Sequence, residues 1–360
     1  MLHVLHRNGV NNYLWNQIRM LNTNLGARIR TKHGSTRPIE IKDSIRQGGV
    51  LSVMLYALLM DEIAKEVEEK NLGLQIPGTD QKVGCLLWMD DVVLIHNTPE
   101  GLQELLNITD KFAKKYHIQF GKEKSKHMVI GKTHDNPRFE LGDMQIERTT
   151  HYKYLGEILS ETNKICDHVK EARRKAEAAI QTIFTVAGDS NLKGLEMKTI
   201  WKLIETCIIP VITYSSETWD IKRKTDRDDL NGILDNILKR LLMTPRTTPR
   251  EALYIETKML DIEHSIELRQ ILGLNRIERT QNTLLSSILN TNCRDSWKKR
   301  VIKTREKYTD TVLEQCTKQV SKKIATQAVS DVHMGKMSDA GFHQRKPKSK
   351  IKYLVQGLER

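Results

Sequence analysis

The stretch Cys85-Leu-Leu-Trp-Met-Asp-Asp-Val-Val-Leu-Ile95 places two adjacent aspartates between two apolar runs. Apolar runs of this length on either side of a short polar step predict a strand, a tight turn and a second strand. Such a hairpin carries Asp90 and Asp91 at the tip of an otherwise buried sheet. Because carboxylates are ligands of hard cations, the pair indicates a Mg²⁺ site that substrate phosphates complete. Aspartate is also a common turn residue, so an ordinary acidic turn is the alternative.

The composition favours a polyanionic partner. The chain has 58 Lys and Arg against 45 Asp and Glu, a net charge of +13 over 360 residues. Such a surplus is typical of nucleic-acid-binding proteins, although a solvated basic surface gives the same number. The length allows two or three domains with a real core.

Membrane insertion and secretion are not expected. No apolar run approaches the roughly 18 residues of a membrane helix, and the first residues lack the layout of a signal peptide. The five cysteines are odd in number and widely spaced, which indicates reduced thiols rather than disulfides. We therefore expect a nuclear or cytoplasmic protein without a membrane partner.

The predicted elements are mixed first and helical later. Helices are predicted through about Asn24, over residues 53–70 with Ser52 as N-cap, and from Thr98-Pro99-Glu100. A hairpin is predicted over residues 139–146, turning at Gly142-Asp143. Further on, apolar periodicity predicts helices over residues 167–186, 197–209 (ended by Pro210) and 228–243.

Four motifs follow one another in a specific order. They are the loop Arg46-Gln47-Gly48…Ser52 opening a helix, the Asp90-Asp91 hairpin, Lys124-Ser125, and Tyr154-Leu155-Gly156. Together they resemble the palm of reverse transcriptases, in particular those of non-LTR (LINE-type) retrotransposons. The segments Tyr214-Ser-Ser-Glu-Thr-Trp219 and Thr247-Thr248-Pro249-Arg250-Glu251 resemble the region after the palm, so that the resemblance covers about residues 1–280.

The resemblance implies an α+β fold: a partial polymerase palm, an antiparallel sheet with helices, followed by a mostly α-helical thumb and C-terminal region. It places the palm at residues 1–160, a thumb-like region at 161–245 and a helical C-terminal region at 246–330. Residues 331–360 are expected to form a loose basic tail. The implied reaction adds deoxynucleotides, taken from deoxynucleoside triphosphates, to a DNA primer on an RNA template.

The resemblance also implies residue roles. Asp90 and Asp91 would hold two Mg²⁺ ions, and Lys124 would act catalytically at the triphosphate. Template or nucleotide contact would come from Arg46, Gln47, Gly48 and Ser52, and the primer grip from Tyr154, Leu155 and Gly156. Three of these roles have a plainer alternative. The glycine loop could simply lead the chain into its helix, and Lys124 could be one of several lysines in a solvated loop. Tyr154-Leu155-Gly156 could be a strand end that packs on the thumb.

Two basic clusters are candidates for phosphate contact. The first, Lys170, Arg173 and Arg174, lies in the predicted helix over residues 167–186. The second is Lys298-Lys299-Arg300. Either cluster would give salt-dependent binding to nucleic acid, or would form a solvated helix face.

One departure from the family concerns a third carboxylate. Polymerase palms take it from a strand well before the glycine loop, whereas the first acidic residue here is Glu40. We expect Met1 to follow the segment that carries this acid and the fingers, so that the chain alone is inactive. The alternatives are a non-catalytic nucleic-acid-binding protein derived from the remnant and a product of a decayed element with no cellular role.

Overall fold

The computed structural model describes residues 2–23, 25–41, 49–131, 137–162, 165–186, 195–221, 223–280, 282–291 and 297–308. They fall into two compact units, the first made of residues 1–127 and 134–148 and the second of residues 128–133 and 149–360. The predicted mixture of helices and small, mainly antiparallel sheets, followed by a helical region, is confirmed.

The first unit combines four helices with eleven short strands among its described residues. In chain order they are α1 (Leu2–Arg7), α2 (Asn12–Asn22), β1 (Leu25–Ala27), β2 (Arg30–Thr31), β3 (Gly34–Ser35), β4 (Ile39–Ile41), α3 (Ser52–Glu69), β5 (Leu74–Gln75), β6 (Lys82–Val83), β7 (Cys85–Trp88), β8 (Asp91–Leu94), α4 (Pro99–Tyr116), β9 (Lys126–His127), β10 (Phe139–Leu141) and β11 (Met144–Arg148). The antiparallel pairs are β1–β4, β2–β3, β5–β6, β7–β8 and β10–β11, and β11 also pairs in parallel with β9.

The predicted single helix through Asn24 is wrong, because the chain breaks between α1 and α2. Gly9 has a φ of 75°, a left-handed conformation that glycine adopts without a steric penalty. Asn11 then caps α2, accepting a hydrogen bond from the Leu14 amide at 2.8 Å. Within α2, Ile18 is buried while Leu14 is exposed.

The acidic hairpin packs against the core of the first unit. Apolar residues of α3 and α4, among them Leu59, Ile63 and Phe112, form one cluster with the inner side of β7 and β8. Helix α4 begins where the sequence predicts, since the Thr98 hydroxyl accepts a hydrogen bond from the Gly101 amide and Pro99 stands in the first turn. The hairpin therefore rests on two packed helices.

The second unit is a two-stranded hairpin followed by helices. Its elements are β12 (His151–Tyr154), β13 (Glu157–Ser160), α5 (Cys166–Val186), α6 (Met197–Leu203), α7 (Ile209–Ile212), α8 (Lys224–Leu241), α9 (Arg250–Thr257), α10 (Ile262–Arg279), α11 (Thr283–Leu289) and α12 (Trp297–Glu306). Its largest core joins α5, α6 and α8 through residues such as Ile180, Ile200 and Leu234. The predicted tail at 331–360 lies outside the described residues.

Pro210 does not end its helix, contrary to the prediction. Between α6 and α7 the chain forms a π-helix, Ile204–Ile208, in which the Ile209 amide donates to the Ile204 carbonyl five residues back. Pro210 then stands in the first turn of α7, where its missing N–H is tolerated. The shifted hydrogen-bond pattern lets the helix continue to Ile212.

Candidate active site

Asp90 and Asp91 lie at the tip of a two-residue hairpin turn. Cross-strand pairing of Trp88 with Asp91 leaves Met89 and Asp90 as the turn residues. Met89 has a φ of 54°, and a positive φ is what two-residue hairpin turns require. For a methionine this conformation is strained by on the order of 1–3 kcal/mol, so the flanking ladder must hold it. Both aspartates are exposed, as predicted.

The strands on either side of the turn are buried on one face only. Cys85, Leu87 and Val92 pack into the core formed with α3 and α4. On the other face Leu86 is 40% exposed and Trp88 is 60% exposed. The expectation of an otherwise buried sheet is therefore wrong, because successive strand residues point to opposite faces and only one face meets the described core.

Helix α3 approaches the hairpin tip through Tyr56. Burial raises the pKa of the Tyr56 phenol, and the negative charge of Asp90 raises this pKa further. Burial also raises the pKa of the Cys85 thiol to about 12. A protonated thiol is a poor metal ligand, so Cys85 does not add to the candidate ligands of this hairpin.

The residues present fit a divalent cation that shares its ligands with a phosphate. Among the described residues, no group of three or more His, Cys, Asp and Glu side chains has the geometry of a closed metal site. Mg²⁺, however, is usually bound by one or two carboxylates together with water and substrate phosphates. Two adjacent, exposed carboxylates on a well-anchored turn match that pattern.

The glycine loop is described only in part. Arg46, Gln47 and Gly48 lie outside the described residues. Ser52 is the first residue of α3, whose N-cap is Leu51, and no side chain caps the helix; the predicted N-cap role of Ser52 is wrong. Ser52 and Tyr56 are four residues apart and so share a helix face. Ser52 therefore lies on the face of α3 that reaches Asp90.

Lys124 lies in a turn between α4 and β9. The Lys124 and Ser125 amides donate to the Gly121 carbonyl at 3.1 and 3.0 Å, and the Ser125 hydroxyl donates to the same oxygen at 3.0 Å. Lys124 is exposed, while the neighbouring Lys126 pairs with Glu147 at 2.6 Å. A role of Lys124 at a triphosphate stays a prediction.

Tyr154, Leu155 and Gly156 form the tip of the β12–β13 hairpin. Leu155 and Gly156 both have positive φ, 45° and 88°, as a two-residue hairpin turn of the I′ type requires. The Tyr214 hydroxyl donates to the Leu155 carbonyl at 2.6 Å. A Cβ added to Gly156 would lie 3.0 Å from the Tyr214 ring, so glycine is required here both for the turn and for the packing.

The sequence did not indicate which residues support this turn. The Ser215 hydroxyl donates to Glu157 at 2.5 Å, next to the Tyr214 contact. The Ile158 amide donates to His168 Nδ1 at 3.3 Å, and the His168 ring stands edge-on to Trp219. The motif containing Tyr214 and Trp219 was recognised, but these contacts join distant parts of the chain, which no local pattern reveals.

The basic residues of α5 are paired with acids. Lys170 contacts Asp167 at 3.3 Å, and Arg173 contacts Asp229 at 3.5 Å. The guanidinium of Arg174 donates two hydrogen bonds of 2.9 Å to Glu171 and, with neighbouring cations, lowers the pKa of that carboxyl to about 2. Much of the positive charge of this face is balanced locally.

The basic cluster of α12 is likewise engaged with its own unit. Lys298 donates to the Asn290 side chain at 2.7 Å, and Arg300 contacts Asp220 at 3.3 Å. Lys299 is exposed. Just before them, the Trp297 indole donates to the Glu217 carbonyl at 2.8 Å. Phosphate contact by either basic cluster stays a prediction.

Comparison with known proteins identifies the class of the N-terminal part. Residues 3–159 match the family described as "Reverse transcriptase (RNA-dependent DNA polymerase)". This span includes the Asp90-Asp91 hairpin, helices α3 and α4, and the turn at Leu155 and Gly156. Residues 3–159 are therefore similar to a reverse transcriptase domain.

Similarity to one curated protein indicates which kind of reverse transcriptase the N-terminal part resembles. The chain is 30% identical over 146 residues to the "Retrovirus-related Pol polyprotein from type-1 retrotransposable element R2" of Nasonia vitripennis, an alignment that covers 36% of this chain. This similarity confirms the resemblance to the reverse transcriptases of non-LTR retrotransposons seen in the sequence. The aligned part spans only 13% of the length of that relative. Within the described residues, no helix has both the length and the apolar character needed to cross a bilayer.

Proposed function

We propose that this chain derives from an RNA-directed DNA polymerase that extends a DNA primer on an RNA template. The observation that carries the proposal is the exposed Asp90-Asp91 pair at a hairpin tip anchored on α3 and α4, inside the span matched to reverse transcriptases. The substrates are deoxynucleoside triphosphates, and each addition to the primer 3′-hydroxyl releases pyrophosphate.

Asp90 and Asp91 are the residues that would hold two Mg²⁺ ions. Such a metal pair stabilises the charge that develops on the attacking and leaving oxygens of a phosphoryl transfer. The strained turn at Met89 and the packed inner face of β7 and β8 keep the carboxylates fixed. Fixed ligands need no rearrangement when substrate arrives, which favours catalysis.

The remaining site residues are proposed to position the substrates. Arg46, Gln47, Gly48 and Ser52 would border the template and the incoming nucleotide, and Lys124 would neutralise charge on the triphosphate. The turn Tyr154-Leu155-Gly156 would hold the primer backbone, supported by Tyr214 from behind.

The division of the chain is part of this proposal. Residues 1–160 would be the palm portion, residues 161–245 the thumb, and residues 246–330 the helical C-terminal region, followed by the basic tail at 331–360. Phosphate contacts of the thumb and C-terminal region are assigned to two groups of cations: Lys170, Arg173, Arg174, Lys298, Lys299 and Arg300.

These 360 residues, tested by themselves, are expected to be inactive. Two-metal transfer in polymerase palms uses a third carboxylate, and no described acid clusters with Asp90 and Asp91. Loss of a bridging ligand together with substrate positioning costs on the order of a thousandfold in rate or more. The second candidate is a non-catalytic nucleic-acid-binding protein, which the net charge of +13 favours.

A location that keeps thiols reduced, the nucleus or the cytoplasm, is proposed. The described cysteines, Cys85, Cys166 and Cys207, all carry free thiols. Such a location is also where an RNA template and a DNA primer meet.

Primer extension tests the polymerase proposal. The purified chain is incubated with an RNA template, a DNA primer and all four deoxynucleoside triphosphates, first in Mg²⁺ and then in Mn²⁺. Binding to the same duplex is followed by fluorescence anisotropy. The Asp90→Asn/Asp91→Asn variant is run beside it, with Asp228→Asn/Asp229→Asn as a matched control, because the second pair is also adjacent and exposed but lies on helix α8.

We expect salt-sensitive duplex binding without extension. Extension that disappears only in the Asp90→Asn/Asp91→Asn variant would show that a further acid completes the site, so the expected inactivity would be wrong. Extension that survives in that variant would contradict the assignment of the catalytic pair. If the chain neither extends the primer nor binds the duplex, both the polymerase proposal and the nucleic-acid-binding alternative are wrong.

A further inference from the structure

Residues 25–41 form a basic arm that contributes little to the core. The arm is a β-hairpin in which β1 pairs with β4 and β2 pairs with β3 around a turn at Lys32 and His33. Only Leu25 and Ile41, at its base, are partly buried. A two-stranded hairpin that buries so little apolar surface is marginally stable by itself, so its packing does not explain its presence.

The two halves of the arm are joined by a register shift. Leu25 pairs with Ile41 at the base, whereas Arg30 pairs with Ser35 near the tip, which leaves one extra residue on the returning strand. The shift falls beside Pro38, which has no N–H to donate to the ladder. Extra residues of this kind form bulges that twist the strand and redirect its side chains. Arg37, next to Pro38, is thereby set apart from the regular ladder.

Four cations of the arm are exposed and have no acid partner in the described structure. They are Arg28, Arg30, Lys32 and Arg37, and none forms an ion pair or a side-chain hydrogen bond with another described residue. No acidic residue precedes Glu40 in the sequence. In contrast, the cations of α5 that were predicted to contact phosphate all have carboxylate partners. The arm is the stronger positive surface.

The spacing of these cations suits a phosphate backbone. Arg28 and Arg30 are two residues apart on the outgoing side of the hairpin, a separation of about 6.6 Å in extended chain, and Lys32 follows in the turn. A duplex strand presents a phosphate for about every 3.4 Å of its axis, so alternate residues of a strand match a repeating anion. The tip residues Lys32 and His33 are polar, whereas surfaces that insert into lipid carry bulky apolar residues.

We propose that the basic arm, residues 25–41, binds the sugar-phosphate backbone of nucleic acid through Arg28, Arg30, Lys32 and Arg37. The inference rests on the proposed function, since the polyanion it favours is the template–primer duplex of a reverse transcriptase domain. The arm contacts phosphates and reads no base sequence, because it offers flexible cations and no built pocket. Its residues are different from those of the Asp90-Asp91 hairpin and from the basic clusters of α5 and α12.

The test removes three charges from the arm and compares an equal removal elsewhere. The arm variant is Arg28→Gln/Arg30→Gln/Lys32→Gln. The control is Lys65→Gln/Lys70→Gln/Lys114→Gln, which takes the same charge from lysines that each pair with an acid four residues earlier. Binding of the full chain to an RNA–DNA duplex is measured by anisotropy over a range of salt concentrations, and circular dichroism checks that both variants fold.

The arm variant is expected to bind on the order of fiftyfold more weakly near physiological salt, with a logarithmic salt dependence shallower by about two, from 0.7–0.9 per phosphate contact. The control should change both quantities far less. If both variants lose the same affinity for the duplex, the proposed role of the arm is wrong, although the chain still binds nucleic acid. Duplex binding that is absent in the wild type would overturn it as well, and primer extension reports the polymerase proposal separately. Loss of binding to vesicles of anionic phospholipid, with duplex binding unchanged, would instead assign the arm to membranes.

Discussion

The two hairpin turns at Met89 and Gly156 differ in the residue that adopts a positive φ. At the acidic hairpin, Met89 holds a left-handed φ of 54° where glycine or asparagine would be easier. At the β12–β13 hairpin, Gly156 holds a φ of 88° against the Tyr214 ring. The first turn tolerates strain next to a candidate metal site, whereas the second depends on glycine.

Replacement of Gly156 by alanine is expected to destabilise the second unit. The added Cβ would lie 3.0 Å from Tyr214 in a left-handed conformation, which costs on the order of 1–3 kcal/mol. The matched control is Gly232→Ala in α8, where no atom lies within 4 Å and alanine favours the helix by roughly 0.5–1 kcal/mol. Urea denaturation should therefore give changes of opposite sign. A similar loss in both variants would show that Gly156 is not specially constrained.

Among single residues, the sequence predicted those candidate site residues whose signal lies in the adjacent sequence. Asp90 and Asp91 were found because apolar runs flank them, and Gly156 because it completes a recognisable motif. The Tyr214–Leu155 hydrogen bond joins residues 59 positions apart, and no local pattern encodes that contact. Ser52 was assigned a capping role from its type alone, whereas the helix begins at that residue and not after it.

Among helices and strands, the prediction was right for a hairpin of adjacent strands. It was wrong where a π-helix changes the backbone hydrogen bonding. The hairpin over residues 139–146 turns at Gly142-Asp143 as expected, since its register depends only on adjacent strands. The continuation of the helix past Pro210 depends on the π-helix before it, which apolar periodicity does not reveal. The break after α1 had a signal, Asn8-Gly9, that is typical of helix ends.

His168 connects three elements of the second unit and should make their stability depend on pH. Burial lowers the pKa of His168, with Lys175 acting in the same direction and Glu157, Glu171 and the Tyr214 backbone opposing it. The folded protein therefore resists protonation, whereas the unfolded chain takes up a proton near a pKa of about 6.5. Stability contributed by the neutral ring is present above that pH and is lost as the pH falls below it.

The free energy of unfolding should thus fall between about pH 8 and about pH 5.5, a window set by the histidine pKa. The variant His168→Asn keeps an acceptor for the Ile158 amide but does not titrate, so its pH dependence should be weaker. The exposed His33→Asn serves as control. Glu171, with its pKa lowered to about 2, titrates below this window. Identical pH profiles for wild type and His168→Asn would contradict the prediction.

The whole molecule consists of two units with different chemistry in their described parts. The first unit carries the acidic hairpin, the start of α3 and the basic arm, all within the span matched to reverse transcriptases. The second unit contains the β12–β13 hairpin and is otherwise mostly helical, and several cations of α5 and α12 pair with acids. The acidic hairpin is the proposed metal centre, and the basic arm is the proposed additional nucleic-acid surface.

A Mn²⁺ titration followed by electron paramagnetic resonance tests whether Asp90 and Asp91 form the metal centre. The full chain is mixed with RNA–DNA duplex and deoxynucleoside triphosphate, and the Mn²⁺ bound by these ligands without protein is subtracted. The wild type and the Asp228→Asn/Asp229→Asn control should bind Mn²⁺ alike, and Asp90→Asn/Asp91→Asn should lose that binding. Equal Mn²⁺ binding in all three proteins would contradict the assignment of Asp90 and Asp91 as the metal centre.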